Sequence, residues 1–142
     1  MSKKNKIIIK GIFIAFALLL FTNKIYADDT SNDKLLIIDK IKKTIIYVDK
    51  MLDNYPHKYI ELRSNINNSL YELLNNCYLA NDGIDIIYNK KRSIINIKII
   101  DFYLMLSYKK EIISKKKYLG LSKYLLEIKN MIYGWINYNE ES

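Results

Sequence analysis

The chain has 142 residues, half of them hydrophobic and 27% charged, with a formal net charge of +8. That length suits one domain around one core, and the apolar content excludes a wholly disordered chain. A single cysteine, Cys77, excludes an intramolecular disulfide, so the fold must rest on packing.

Charge is unevenly spread along the chain. Lys3, Lys4, Lys6, Lys10 and Lys24 precede the first acid, Asp28, whereas Asp28, Asp29, Asp33, Glu140 and Glu141 gather near the two ends of the remaining chain. Between Lys34 and Asn139, 18 basic residues face 10 acidic ones, so the body is basic. At the N-terminus, Lys3, Lys4 and Lys6 precede the apolar run Gly11 to Phe21, and Ile25-Tyr26-Ala27 before Asp28-Asp29 resembles a cleavage site. Residues 1–27 therefore read as a signal peptide or, with Ile7 to Phe21 retained, a membrane anchor, which predicts an exported or membrane-anchored protein. If that segment is not used for targeting, the expected location is cytoplasmic.

Residues 28–33 are polar and read as a flexible lead-in, with Asn32 or Asp33 placed to cap a helix. In the first helix Ile38, Ile41, Ile45, Val48 and Leu52 alternate three- and four-residue steps, the seam of a helix packed at a shallow angle. Asn54-Tyr55-Pro56 ends it, because proline disfavours a helical residue before it and suits the first turn of the next helix. A second helix follows from about His57 to Asn81, with Leu62, Ile66, Leu70, Leu73, Cys77 and Ala80 on one face. Gly83 closes it, accepting the left-handed conformation that follows helix ends. The third helix begins between Ile84 and Ser93 and reaches about Glu111; its expected inward residues are Ile95, Ile99, Phe102 and Leu106. In the fourth, Tyr118, Leu121, Leu125, Ile128, Ile132 and Trp135 form the seam and Ser114 is the expected N-cap. Four amphipathic helices on short connections predict an all-α, antiparallel up-down-up-down four-helix bundle over residues 34–139.

Residues that carry chemistry are sparse. His57, the one histidine, follows the turn proline without a second His or a Cys at ligand spacing, and no Glu-x-x-His occurs. Cys77 lies on an apolar stripe, where free cysteine behaves as a small hydrophobe. Neither a glycine-rich phosphate loop nor a G-x-S-x-G motif occurs. The expectation is a non-enzymatic protein with no catalytic residue, cofactor, metal or small-molecule substrate. Its basic clusters are Lys90-Lys91-Arg92, Lys109-Lys110 and Lys115-Lys116-Lys117. Lys109 and Lys110 complement the dipole at a helix C-terminus, while Lys115, Lys116 and Lys117 oppose it at an N-terminus. That opposition makes Lys115 to Lys117, with Lys90, Lys91 and Arg92, the candidate nucleic-acid-binding residues. A continuous third helix puts the first and last clusters at opposite ends, so only an oligomer gathers them.

Two stretches resemble a known family. Tyr55-Pro56-His57-Lys58 is similar to an aromatic-Pro-basic turn, and Ile113-Ser114-x-Lys116-x-Tyr118 with Leu121-Ser122, Glu127-Ile128, Met131 and Gly134-Trp135-Ile136 resembles the last helix of the same family. These are the Avd-like accessory variability determinants of diversity-generating retroelements, related to four-helix-bundle proteins encoded in ribosomal RNA intervening sequences. The resemblance spans about Leu35 to Asn139. It implies a basic bundle that assembles as a homo-oligomer, typically a pentamer, and binds a reverse transcriptase and its structured template RNA. The alternative is an exported or membrane-tethered helical-bundle protein-interaction module with no nucleic-acid role, since fold does not fix function.

Overall fold

The computed structural model describes residues 36–140, with side chains to 137. The expected signal or anchor and the lead-in lie outside the described residues. Those residues form an all-α bundle of four helices with no strand: α1 (36–52), α2 (Ile60–Asn81), α3 (Ile86–Lys109) and α4 (Lys115–Glu140), with a 3-10 turn at His57–Tyr59. None of these helices is long and apolar enough to cross a membrane.

Local chemistry places each boundary. The amides of Asn54 and Tyr55 bond back to the Met51 and Leu52 carbonyls, and Pro56, with ψ 143°, cannot continue the helix. Downstream, Gly83 (φ 84°) ends α2, where the Ile84 amide reaches the Leu79 carbonyl at 2.9 Å and the Gly83 amide reaches the Ala80 carbonyl at 3.3 Å. The same two-bond pattern ends α3, from Ile112 to Ser107 and from Glu111 to Tyr108, both at 2.9 Å. Here the left-handed position is held by Glu111 (φ 61°), a conformation that costs about 1 kcal/mol or more without glycine.

The connections are too short to do anything but reverse the chain, and cross-helix contacts follow in reverse order. Lys42 lies 5.4 Å from the Tyr78 ring between α1 and α2, whereas Arg63 reaches Asp53 at their other ends. Between α3 and α4, Ser122 donates to Asp101 at 2.7 Å and Lys90 donates to the Trp135 carbonyl at 2.9 Å. The Lys40–Glu127 ion pair brings α4 back against α1. A single core results, in which Ile41, Ile66, Leu73, Ile100, Leu104, Leu125, Ile128 and Ile132 are almost wholly excluded from solvent.

Every expected seam residue of α1 and α2 is buried, as are those of α4 except Tyr118, which is half-buried. On α3 the expectation fails. Ile95, Ile99 and Phe102 are 55%, 39% and 52% exposed and Leu106 is half-buried, while Ile94, Ile97, Ile100 and Leu104 face inward with Asn89, Lys90, Ser93, Asn96 and Ser107. The helix is turned so that its buried Asn96 and Lys90 find partners on the neighbouring helices. Asn76 donates to Asn96 at 2.7 Å, Asn96 donates to Glu72 at 3.0 Å, and Arg92 donates to the other Glu72 oxygen at 3.3 Å. Buried polar groups are tolerated when bonded in this way and cost roughly 1–3 kcal/mol each when orphaned.

Trp135, 8% exposed, anchors the end of α4. Trp135→Ala should lower unfolding free energy by about 3–5 kcal/mol, read from urea denaturation, and the folded wild type should emit at blue-shifted wavelengths.

Candidate nucleic-acid interface

One end of the bundle is made where α1 passes to α2 and α3 passes to α4. Pro56 sets up the 3-10 turn, with the Tyr59 amide bonding the Pro56 carbonyl at 2.9 Å, and this leaves His57 and Lys58 exposed. Lys58 and Lys110 both lie over the Tyr59 ring, with Nζ 4.9 and 5.6 Å from its centroid. Nearby, Tyr108 of α3 and Tyr118 of α4 stack with centroids 5.8 Å apart and planes within 2°, and Lys109 lies 5.9 Å from the Tyr108 ring. Ser114 caps α4 by accepting the Lys117 amide at 3.1 Å, so Lys115 and Lys116 are held in the exposed first turn and Lys117 half-exposed beside them.

From residue 53 to 63 and from 106 to 118 the sequence places seven basic residues at this end against three acidic ones, and one of those acids, Asp53, is taken by Arg63 at 3.1 Å. Three half-buried tyrosines therefore form a base from which lysines project. Such a surface attracts phosphate oxygens by charge, while ammonium groups held over aromatic faces lose less freedom on binding. The expected cluster Lys115, Lys116 and Lys117 is joined there by Lys58, Lys109 and Lys110. Sequence reasoning missed Lys58, Tyr59 and Tyr108 and assigned Lys109 and Lys110 to the helix dipole alone, although the aromatic-Pro-basic turn that contains Lys58 was visible.

The other expected cluster behaves differently. Lys90 is 0% exposed, its Nζ bonded to the Trp135 carbonyl and 4.1 Å from the Trp135 ring centroid, so it belongs to the core and not to a phosphate-binding surface. Lys91 and Arg92 are exposed, but the Arg92 guanidinium is shared between the Tyr88 hydroxyl and Glu72, which raise its pKa further above its ordinary value. Eighteen helical residues separate Lys91 from Lys109, about 27 Å at 1.5 Å per residue. One chain thus does not gather the two clusters.

A groove of about 530 Å³ between α1 and α4 is lined by Leu36, Thr44, Tyr47, Leu121, Tyr124 and Met131. Its lysines are already neutralised, Lys43 by Asp39 at 2.7 Å and Lys40 by Glu127, whose carboxyl is held below its ordinary range by the Lys40 hydrogen bond. No group of three His, Cys, Asp or Glu side chains suited to a metal occurs among the described residues. Against this geometry, no known family, curated protein or solved structure matches the chain.

Cys77 is fully buried with Sγ 3.4 Å from Ser93 Oγ. The Ser93 hydroxyl also donates to the Asn89 carbonyl at 2.8 Å. Burial pushes the Cys77 pKa up from 9.0 to about 11, with the Ser93 contact opposing more weakly, so the thiol is inert at neutral pH. The unfolded chain loses this proton first. The contribution to stability is therefore complete below the unfolded value and disappears as pH rises through the folded one. Between about pH 8.5 and 10.5 the wild type should lose about 2 kcal/mol more than Cys77→Ala, measured by urea denaturation, and the folded protein should resist iodoacetamide at neutral pH.

Proposed function

We propose that this chain is a non-enzymatic RNA-binding bundle of the Avd-like kind, an up-down-up-down four-helix protein that assembles as a homo-oligomer and serves a reverse transcriptase and its structured template RNA. The observation that carries the reading is the lysine-tyrosine end of the bundle, where Lys58, Lys109, Lys110, Lys115, Lys116 and Lys117 surround Tyr59, Tyr108 and Tyr118. The lysines of the first α4 turn oppose the helix dipole, so they weaken the helix by a few tenths of a kcal/mol each and are better explained by a ligand than by stability. The resemblance of the Tyr55–Lys58 turn and of the last helix supports the same reading. It also implies a pentameric ring, an assembly able to gather the basic clusters that one chain keeps apart.

A second reading rests on the N-terminus. Lys3, Lys4 and Lys6, the apolar run and the Ala27-Asp28 junction favour an exported or membrane-tethered interaction module.

Phosphate contacts are the only part of recognition argued from these residues. RNA affinity should fall steeply with salt, and replacing Lys115, Lys116 and Lys117 with Gln should flatten the log-log salt slope by about 0.7–0.9 per lost contact. Replacing Lys91 and Arg92 with Gln tests the smaller cluster in the same way. Fluorescence anisotropy with a structured RNA hairpin at several salt concentrations reads the slopes, and circular dichroism should show unchanged helicity. Affinity no better than about 100 μM at physiological salt, or unchanged slopes in both variants, would sink the RNA reading and leave the interaction module.

A further inference from the structure

The residues expected in the core of α3 lie on its surface, and they keep the spacing of a packing seam. Tyr88, Ile95, Ile99, Phe102 and Leu106 follow one another by 7, 4, 3 and 4 residues; the first four are exposed and Leu106 is half-buried. The opposite face of the same helix carries Ile94, Ile97, Ile100 and Leu104 into the core. A helix apolar on both faces belongs between two partners, and the bundle supplies only one of them. The exposed stripe runs about 27 Å, five turns, too long and too regular for a scattering of surface hydrophobes.

A second row borders it. Leu119, Leu126 and Tyr133 of α4 are exposed at seven-residue intervals, and Ser122, three and four residues from the first two, bonds Asp101 of α3 at 2.7 Å. That row of α4 therefore lies along the α3 side of the helix. Lys91 and Lys98, both exposed, stand at the α3 positions between the two rows, and Lys109 continues their line. The one acid of α3, Asp101, is half-buried on the α4 side, where it accepts the Ser122 hydroxyl, against the three exposed lysines.

We propose that the outer face of α3, with the adjoining row of α4, is a docking surface for an amphipathic helix whose apolar seam is flanked by acidic residues. Seam spacing of 4 and 3 residues fits the knobs of another helix at a shallow crossing angle. The charge selects which helix. Lys91, Lys98 and Lys109 attract carboxylates along the seam and repel a basic surface, and a second copy of this face would set lysine against lysine. Phe102 is the anchor, the largest apolar side chain of the stripe and next to Tyr103, with ring centroids 6.0 Å apart. Lys109 also belongs to the lysine-tyrosine end and Lys91 to the smaller basic cluster, whereas Lys98 and the seam of Ile95, Ile99 and Phe102 belong to neither, so variants of Lys98, Ile99 and Phe102 let the RNA reading and the docking proposal fail separately.

A synthetic 21-residue helix with leucine at the seam positions and glutamate beside them is the probe, with a lysine-flanked peptide of the same pattern as its counterpart. The full chain should bind the glutamate peptide at least about tenfold more tightly than the lysine peptide, by fluorescence anisotropy. Ile99→Gln with Phe102→Gln should weaken that binding about tenfold or more, and Lys98→Glu should remove the preference for the acidic peptide, with helicity and RNA affinity unchanged. Equal binding of the two peptides, or full binding by the double variant, would overturn the proposal. Sedimentation of the same proteins tests the other occupant: an oligomer that Ile99→Gln with Phe102→Gln dissolves would give the stripe to a second copy, and the proposal would fall.

Discussion

The hydrogen bond between Asn76 and Asn96 sets the rotation of α3, and the rest of the molecule's surface chemistry depends on that rotation. Both side chains are buried, and each amide needs a partner that only the opposite helix supplies. Turning α3 to present its opposite face would move Asn96 out of reach of Asn76 and Glu72, take Ser93 away from Cys77 and draw Lys90 off Trp135. Each loss is of the order of 1–3 kcal/mol. Burying Ile95, Ile99 and Phe102 in place of the present face would gain a similar amount per side chain, about 1.5–3 kcal/mol. Yet it would expose Ile94, Ile97, Ile100 and Leu104, so the apolar terms nearly cancel. Polar pairing decides between two faces of equal hydrophobicity.

That decision explains how much was legible in the sequence. For α1, α2 and α4 one apolar seam runs unbroken in three- and four-residue steps, so counting residues finds the buried positions without knowledge of the neighbours. On α3 the same counting has two solutions, and the discriminating partners lie far off in sequence: Asn76 is 20 residues from Asn96, and Trp135 is 45 from Lys90. A buried lysine is rare enough that its presence in a basic triplet reads naturally as surface charge. Its place beneath Trp135 becomes visible only when α3 and α4 are paired. Helix ends were easier, because Pro56, Gly83 and Ser114 act on their own neighbours and need no tertiary partner.

The lysine-tyrosine end shows the same division. Lys115, Lys116 and Lys117 stand out in sequence because they sit where a helix start disfavours positive charge. Tyr59 does not stand out. It joins the site because the 3-10 turn after Pro56 presents its ring to Lys110, 51 residues later in the chain, and Tyr108 and Tyr118 stack because the α3–α4 connection brings their helices together. Charge clusters are local properties of a sequence, whereas the aromatic surface that orders them is a property of the fold.

The two proposed surfaces both attract anions, and the bundle must keep their ligands apart. A phosphate backbone gains from dense positive charge and little from aliphatic side chains, so it is drawn to the end where six lysines meet three tyrosines. Along α3 the lysines are spaced at intervals of 7 and 11 residues, about 10 and 16 Å, which dilutes their pull on a polyanion. Between them Ile95, Ile99 and Phe102 reward only a ligand that can leave water together with them. An acidic amphipathic helix satisfies both the lysines and the apolar stripe; RNA satisfies the lysines alone. Apolar patterning, not net charge, thus separates the two surfaces, and it does so because α3 was turned to satisfy Asn96.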